Sequence, residues 1–476
     1  MRQLNGRKVI YTDVADVNAS NVVEVLNKAK IAHEKNYRDI KYLYDYYRGI
    51  QPVLYRTKDV RPEICNRIVE NRANEIVSFK VGYLMGEPVQ YVSRGDDAVS
   101  DDIARLNEYV FAEDKASKDK ELADWFTICG TAYRMVVPDK LKAEEESPFE
   151  IHTLDPQYTF VVYHSGLGHK RKMGVTYITL EDNTVLYCVY TDKMYFEIKD
   201  DKIVSSKPHA LGRVPIIEYP LNSARLGAFE IVLPLLDAIN EVASNRIDGV
   251  EQFIQAILVL KGVDIEDEAF AKLKDNGGLK LPLDGDAKYL VQELNQMQTQ
   301  TLVDYMYQTV LTICGMPNRN GGSSTSDTGS AVIMRDGWSD AEARAKDTEL
   351  MFKQSEKEFL KIAIDIANSF RDLTLKLSDI EIRFTRRNYE NIQGKSQVLT
   401  TMLSNSKIHP RLAFEHCGMF ADPELAYLQS MEYAEEQEKK NLEKMSEMGS
   451  ESGVTDDDKE TGNGNPNGDS QQPDSE

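Results

Sequence analysis

The sequence predicts an α+β fold that is mainly helical, and three observations support this prediction. Long segments place apolar residues at steps of three and four, and the longest of them runs from 330 to 373. Residues 149–220 instead form short β-branched and aromatic runs separated by turn residues, which is typical of an antiparallel sheet. The chain has 476 residues, of which 41% are hydrophobic, so several domains with their own cores are expected.

The chain is strongly acidic, with a net charge of −21 at pH 7. Residues 451–476 carry eight acids and one lysine, and subtracting this −7 from −21 leaves −14 for the rest of the chain. Such acidity argues against a protein that reads DNA sequence by gripping phosphates with Lys and Arg. Residues 451–476 are mostly small or polar with almost nothing to bury, so we expect a disordered acidic tail there.

The cysteines and the apolar segments limit the class of protein further. The five cysteines are far apart and form no Cys-x-x-Cys pair, so neither a zinc site nor a disulfide framework is expected. No apolar segment follows the first residues, and no apolar run reaches the roughly 18 residues that a membrane helix needs. We therefore expect neither a signal peptide nor a membrane span.

The N-terminal region, residues 1–225, is predicted to combine helices with the antiparallel sheet. Apolar residues at helical spacing alternate here with short β-branched runs that are bounded by Gly and Pro. The predicted helices are 20–48, 64–82, 101–111 and 118–129, and the predicted strands before the sheet are 89–92 and 131–137.

From residue 226 the helical period returns, and it predicts two helices, 226–258 and 299–316, that enclose a small α/β domain, 259–298. A polar, glycine-rich loop, 317–329, then leads into the long helix from residue 330. At 1.5 Å per residue that helix is about 60 Å long, roughly twice the diameter of a small domain, so we interpret it as a strut.

The rest of the chain continues this helical character. The segment 330–392 consists of the long helix and a following strand at 380–385, and residues 393–450 are predicted to be helical.

Motifs for catalysis or cofactor binding are missing from the sequence. The glycine-rich loop lacks the GxxxxGK[ST] pattern and contains no lysine, which argues against a nucleotide-phosphate site. No G-x-S-x-G or H-E-x-x-H segment occurs, and His164 and His169 are expected to lie in a surface loop. We therefore expect no catalytic residue, no cofactor and no metal site.

Two segments near the N terminus carry a resemblance to a known family. Residues 66–77, Asn-Arg-Ile-Val-Glu-Asn-Arg-Ala-Asn-Glu-Ile-Val, together with residues 82–91, Gly-Tyr-Leu-Met-Gly-Glu-Pro-Val-Gln-Tyr, resemble the opening signature of siphophage portal proteins. The segments 129–133 and 154–158 are similar to the next two signposts of that family, and residues 404–423 resemble its C-terminal region.

The resemblance covers roughly residues 30–445 and implies a portal-type subunit that assembles as a ring around a central channel. The implied parts are an N-terminal wing (1–225), a first stem helix (226–258), a clip (259–298), a second stem helix (299–316), a tunnel loop (317–329), a long wing helix with its strand (330–392), a helical crown (393–450) and the acidic tail (451–476).

The function that the resemblance implies is structural rather than enzymatic. Portal rings, usually of twelve subunits, lie at one capsid vertex and connect head to tail, and double-stranded DNA passes through them during packaging and ejection. The implied partners are the terminase large subunit, a head-completion or adaptor protein, and the major capsid and scaffolding proteins. The implied location is the virion, with the host cytoplasm during assembly.

The same resemblance assigns candidate site residues by position. In the tunnel loop they are Asn318, Asn320, Gly321, Gly322, Ser323, Ser324, Thr325, Ser326, Asp327 and Thr328. In the clip, the candidates for docking the packaging motor are Asp264, Glu266, Asp267, Glu268, Lys272 and Lys274.

Two acids of the first stem helix, Asp248 and Glu251, are candidates for facing the channel. They lie one turn apart and are expected to point away from the apolar stripe that contains Val250 and Ile254. An acidic wall weakens DNA binding because its negative charge repels the phosphates. It also has few Lys and Arg side chains that could displace counterions from the DNA.

Two other classes of protein remain as alternatives. A phage-encoded nucleic-acid-processing enzyme with an unrecognised carboxylate metal site would need acids on adjacent strands beside a basic groove, and the sequence indicates no such groove. A coiled-coil scaffolding protein would be helical throughout, and the predicted sheet at 149–220 argues against it.

Overall fold

The computed structural model of the chain describes ten segments, which are residues 4–94, 100–139, 147–254, 257–261, 286–290, 296–318, 337–371, 373–386, 392–420 and 423–450. The chain divides into two compact units, residues 1–391 and 392–476. In its described part the fold is α+β and mainly helical, as the sequence predicts.

A six-stranded sheet lies in the first unit. Its strands, in order across the sheet, are β1 (Ile10–Thr12), β5 (Thr159–His164), β6 (Arg171–Thr179), β7 (Val185–Tyr190), β8 (Met194–Lys199) and β9 (Lys202–Pro208). All neighbours are antiparallel except β1, which runs parallel to β5. The long stretch of chain between β1 and β5 permits this parallel pairing, which a tight turn could not connect.

Helix α1 (Val22–Tyr47) covers one face of this sheet. Leu26 of the helix is fully buried in a core that contains Phe160 and Phe196 of the sheet. The helix agrees closely with the prediction of 20–48, because its apolar residues recur at the spacing of one helix face.

A second sheet has three antiparallel strands, in the order β10 (Ile216–Pro220), β3 (Thr131–Pro138) and β4 (Phe149–Leu154). The prediction of a single sheet over residues 149–220 is therefore wrong. The strands at both ends of that range pair with β3, which precedes the range, and not with the strands inside it. Tyr133, Val161 and Ile216 form a small core that contains residues of both sheets.

The main core of the first unit surrounds helix α4 (Lys115–Cys129), helix α2 (Arg72–Leu84) and helix α3 (Ser100–Ala112). Helix α4 ends at Gly130, whose φ of +80° lies in the left-handed region. A Cβ atom at Gly130 would lie 2.1 Å from the carbonyl oxygen of Arg225, so only glycine fits there.

Helix α5 (Leu233–Ile254) and helix α6 (Gln296–Cys314) form a contacting pair. Between them in sequence, β11 (Ile257–Lys261) and β12 (Asp286–Leu290) pair as a two-stranded antiparallel sheet. The predicted helix 226–258 begins later in the structure, because a short 3₁₀ turn over Glu230–Val232 precedes α5.

The long helix, α7 (Trp338–Arg371), has 34 residues and is therefore about 51 Å long. Its described start lies at Trp338, after Gly337 with a φ of +83°, and residues 330–336 of the predicted helix lie outside the described residues. Phe359 and Ile362 of α7 are buried in the main core, so the helix is packed into the unit rather than free. After α7, strand β13 (Ile380–Arg383) pairs antiparallel with β2 (Gln90–Ser93).

The second unit contains three helices in its described part, α8 (Ile392–Leu403), α9 (Pro410–Cys417) and α10 (Pro423–Ser450). The His409 ring caps the start of α9 by accepting from the backbone N–H of Arg411. Gly418, with a φ of +64°, ends α9. The region predicted to be helical, 393–450, thus consists of separate helices, and these capping residues set the bounds of α9.

Candidate functional site

The pair α5–α6 is the element on which the candidate channel residues lie. Leu236 and Ile239 of α5, and Val303, Met306 and Val310 of α6, are buried in the main core. Their spacing places one face of each helix toward the body of the first unit.

A polar stripe runs along another face of α5. Asn240, Ser244 and Asp248 are spaced four residues apart, and all three are at most 1% exposed. They are covered by residues 56–71, which we call the strap. The strap contains no helix or strand and turns at Arg61–Ile64, where the Ile64 N–H donates to the Arg61 carbonyl at 3.0 Å. The helix predicted from residue 64 is therefore wrong over 64–71, and α2 begins only at Arg72, where the Asn71 side chain accepts from the Asn74 N–H.

Three backbone amides of the strap donate to this stripe. The N–H of Asn66 lies 2.7 Å from Asp248 Oδ1, that of Ile68 lies 2.9 Å from Ser244 Oγ, and that of Glu70 lies 2.8 Å from Asn240 Oδ1. Two residues of an extended chain span about 6.6 Å, and four residues of a helix rise about 6.0 Å. Because these repeats nearly match, alternate strap residues meet successive turns of α5, with the two chains running in opposite directions.

Asp248 is the centre of this contact. Its carboxylate accepts from the Arg56 guanidinium at 2.8 Å and is also paired with the Lys58 ammonium. Burial by itself raises the pKa of Asp248, but hydrogen bonds from Lys58, Asn66 and Arg56 outweigh it and lower this pKa to about 2. The expectation that Asp248 faces the channel is therefore wrong, because its side chain is buried under the strap.

Glu251, the other predicted channel residue, is half-buried on α5. Two apolar residues near it on α5, Ile247 and Val250, are 42% and 39% exposed. Toward its C-terminal end α5 thus presents apolar side chains that the described part of the subunit leaves uncovered. Such residues on a helix commonly mark a contact with another protein surface.

Helix α6 presents two flanks on opposite sides of its buried face. One flank contains Leu302, Tyr305 and Ile313, which are 49%, 70% and 36% exposed. At about 100° per residue, Leu302 and Ile313 lie about 100° and 80° to one side of Val303, and Asp304 lies about 100° to the other. Tyr305 lies about 160° from Val303, on the outer side of the helix next to Leu302. The only charged residue between Gln296 and Cys314 is Asp304, so the Leu302–Tyr305–Ile313 flank carries no charge.

The other flank of α6 borders a cavity of about 320 Å³. In this cavity the Arg72 guanidinium lies 4.2 Å from the ring centre of Tyr307, and the Tyr307 hydroxyl donates to Glu75 at 2.8 Å. At its polar edge, the Arg246 guanidinium donates to the Gln300 side chain at 2.7 Å. The apolar lining consists of Phe79, Val303, Leu311, Met316 and Pro317.

The predicted loop and clip residues lie mostly outside the described residues. Of the ten loop candidates, only Asn318 is described, and its side-chain amide donates to Gln308 of α6 at 3.1 Å. The loop candidates outside the described residues are Asn320, Gly321, Gly322, Ser323, Ser324, Thr325, Ser326, Asp327 and Thr328. The clip candidates Asp264, Glu266, Asp267, Glu268, Lys272 and Lys274 also lie outside them, although β11 and β12 border this segment.

A buried charge cluster lies in the middle of α7, and the sequence analysis missed it. Glu356 is fully buried and pairs with Lys115 at 2.8 Å and with Arg134 at 3.4 Å. Asp119 pairs with the same two cations, and Tyr219 donates its hydroxyl to Glu356 at 2.6 Å. The sequence offered two signals of this cluster. Glu356 is an acid on the apolar face of a long helix, and Arg134 is an arginine within a buried strand.

Neither a metal centre nor a membrane helix is found in the described part of the chain. No group of three or more His, Cys, Asp and Glu side chains there is close enough together to bind a metal ion. Within the same segments, no helix combines the length and the apolar character that crossing a membrane requires.

Comparison with known proteins identifies the family of this chain. Two chains from gene transfer agent particles are similar at a TM-score of 0.43. One, from the native virion, is 12% identical and matches 80% of this chain and 94% of its own length. The other, from the neck of an empty particle, is 11% identical and matches 73% of this chain and 90% of its own length.

Similarity in sequence is more specific. The portal protein of Bacillus phage SPP1 is 24% identical over an alignment of 287 residues, and the match covers 52% of this chain and 53% of that protein. The chain thus spans about half the length of this relative. The model of the family "Phage portal protein, SPP1 Gp6-like" matches residues 27–451, which is most of the chain. The protein therefore belongs to the SPP1 Gp6-like family of phage portal proteins.

Proposed function

We propose that this chain is one subunit of a portal ring at a single capsid vertex, and that double-stranded DNA passes through the ring during packaging and ejection. The observation that carries the proposal is the helix pair α5–α6 in a chain whose family match spans residues 27–451. Repeated around an axis, such pairs form a rigid wall. Heterologous contacts between copies close into a ring when the rotations from each copy to the next add up to one full turn.

The segments have different roles in this proposal. Helices α5 and α6 are the stem, the region around β11 and β12 is the clip, and residues 317–329 are the tunnel loop between the stem and α7. The two sheets with α1–α4, together with α7, form the wing, and residues 393–450 form the crown. The exposed apolar residues Ile247, Val250 and Leu302 support a stem that is covered by neighbouring copies.

The proposed partners follow from the same roles. The clip docks the terminase large subunit during packaging and a head-completion or adaptor protein afterwards, and the ring meets major capsid and scaffolding proteins at the vertex. In the capsid the ring has twelve copies. The protein is part of the virion and is present in the host cytoplasm during assembly. The subunit itself hydrolyses nothing, so purified rings are expected to lack ATPase activity when the terminase is absent.

The proposal is tested by the mass and shape of the purified protein. We expect rings with a central hole in negative-stain images and a mass of several hundred kilodaltons by light scattering. A single species near the 54.0 kDa of one chain, at micromolar concentration, would contradict the proposal.

The role of the tunnel loop is tested separately. Replacing Gly321 and Gly322 by proline restricts the backbone, so we expect rings to form normally while DNA packaging is blocked. The matched control replaces Ser323 and Ser324 by alanine, which removes hydroxyls without stiffening the chain. Packaging at the wild-type yield by the proline variant would show that packaging does not depend on the flexibility of this loop.

A further inference from the structure

We infer that neighbouring copies in the ring contact each other through the two opposite flanks of α6. The exposed Tyr305 of one copy inserts into the cavity beside Arg72 and Tyr307 of the next copy. This inference rests on the proposed ring, and it names the surfaces through which the copies bind. The molecule that occupies the cavity is a second copy of this chain.

The first argument is the chemistry of the exposed flank. Tyr305 is 70% exposed and Leu302 is 49% exposed, and their flank of α6 carries no charge. A free helix surface is normally lined by charged side chains, and an uncharged flank with a protruding aromatic residue is typical of a buried contact. Tyrosine is also among the residues most enriched at the centres of protein interfaces.

The second argument is the chemistry of the cavity. Its lining provides apolar contacts from Phe79, Leu311 and Met316, which suit an aromatic ring. At its polar edge the Asp304 carboxylate accepts from the Gln300 side-chain amide at 2.7 Å, and a carboxylate has enough lone pairs to accept from a phenolic hydroxyl as well. The cavity therefore combines the apolar and polar groups that a tyrosine side chain needs when it is buried.

The third argument is symmetry. A cyclic ring brings two different surfaces of the same chain together at every interface, one from each neighbour. A rotation about the ring axis does not change the height of a residue along that axis. When α6 runs along the axis, Tyr305 of one copy is therefore level with Asp304 and Tyr307 of the next. The protruding side chain and the cavity lie at the same height and on opposite flanks of one helix.

The test uses two chains that each carry one new cysteine, co-expressed with tags of different size. One chain carries Tyr305→Cys and the other carries Asp304→Cys, in a background where the half-buried Cys65 and Cys188 are serine. The remaining cysteines, Cys129, Cys314 and Cys417, are buried. Rings are purified, their size is checked by light scattering, and a short bismaleimide is added before denaturing electrophoresis.

We expect a covalent two-chain product from the co-expressed rings and none from rings of either chain alone. The matched control pairs Tyr305→Cys with Leu302→Cys, which lies on the same flank and at nearly the same height, and it is expected to give no product. Rings without a Tyr305–Asp304 product would overturn the inference and leave the proposed ring intact. A product from Tyr305→Cys rings alone would mean a two-fold contact and would also overturn the inference. A wild-type protein that stays monomeric would instead contradict the proposed function.

Discussion

Four ionisable side chains, Lys115, Asp119, Arg134 and Glu356, meet without solvent where α7 crosses the second sheet. Two cations and two carboxylates balance, so the cluster has no net charge. Burial alone raises the pKa of Glu356, but attraction to Lys115 and Arg134 outweighs it and keeps this pKa below its ordinary value. Such clusters add less to stability than an apolar core would, but each member becomes costly to remove once the others are buried.

Replacing Glu356 by alanine should therefore destabilise the subunit strongly. The variant leaves Lys115 and Arg134 facing a single carboxylate, and losing one partner of a buried pair lowers the free energy of unfolding by about 3–5 kcal/mol. Denaturant unfolding monitored by circular dichroism measures this change. The control is Lys357→Ala, an exposed neighbour on α7, for which a change below about 0.5 kcal/mol is expected. Equal stability of the two variants would contradict the importance of the cluster.

Asp248 provides a prediction about pH. Its pKa is lowered from 3.8 to about 2 in the folded chain, and a difference of this size corresponds to about 2 kcal/mol. A lowered folded pKa stabilises the protein above the unfolded pKa, and this stabilisation is lost as the pH falls toward 2. We therefore expect Asp248→Asn to lower the free energy of unfolding by about 2 kcal/mol at pH 7 and by about half as much at pH 3.

The measurement for Asp248 is denaturant unfolding of both proteins at the two pH values. Glu251→Gln is the matched control, since this half-buried acid lies one turn further along the same helix. A stability difference for Asp248→Asn that does not change between pH 7 and pH 3 would contradict the role of the ionised carboxylate.

At the scale of elements, the strap and α5 depend on each other. The strap pairs with none of the strands that the structure describes, and the backbone amides of Asn66, Ile68 and Glu70 bond instead to side chains of α5. The helix supplies these acceptors at four-residue spacing, which matches two residues of extended chain. Because the contact ends close to the start of α2, the strap links the candidate stem to the candidate wing.

Replacing Ser244 by alanine should loosen the strap. The partly buried N–H of Ile68 then loses its acceptor, and the loss of this hydrogen bond weakens the closed strap by about 1 kcal/mol. We expect faster tryptic cleavage after Arg67, an exposed strap residue, and mass spectrometry of the fragments measures it. Gln252→Ala, at an exposed position of the same helix, is the control. Cleavage at the same rate in both variants would mean that this hydrogen bond does not hold the strap.

At the scale of the whole molecule, the acidic tail is predicted to be dispensable for the fold. Residues 451–476 carry a net charge of −7 and few apolar side chains, so they have little surface to bury against the body. Removing them should leave ring formation and the melting temperature nearly unchanged, as light scattering and calorimetry would measure. A melting temperature several degrees lower would mean that the tail binds the folded body.

The net charge also predicts how rings bind DNA. With −14 on the chain outside the tail, rings should bind double-stranded DNA more weakly than about 1 µM at physiological salt, and without sequence preference. Glu251→Gln should strengthen this binding, whereas Asp248 is no longer a candidate because the strap covers it. Gel shifts over a series of salt concentrations measure both effects. Nanomolar binding by the unmodified rings with a steep salt dependence would indicate a basic track along the channel.

Local patterns predicted the elements whose folding depends on nearby residues. The period of apolar residues in α1 and the start of β3 directly after Gly130 were both visible in the sequence, because the buried face of a helix and the end of a helix leave local signals. The family resemblance came from short sequence segments, and the match over residues 27–451 confirms it.

Only the tertiary structure revealed features that depend on distant partners. Ile68 fits a helical pattern, yet the chain around it is not helical because the amides of Asn66, Ile68 and Glu70 bond to α5, far away in sequence. Asp248 has the spacing of a solvent-facing acid, yet Arg56 and Lys58 cover it. The β-rich region forms two sheets and not one, because β4 and β10 at its two ends both pair with β3. In each case a long-range hydrogen bond or ion pair outweighed a weak local preference, and such partners leave no periodic signal in the sequence.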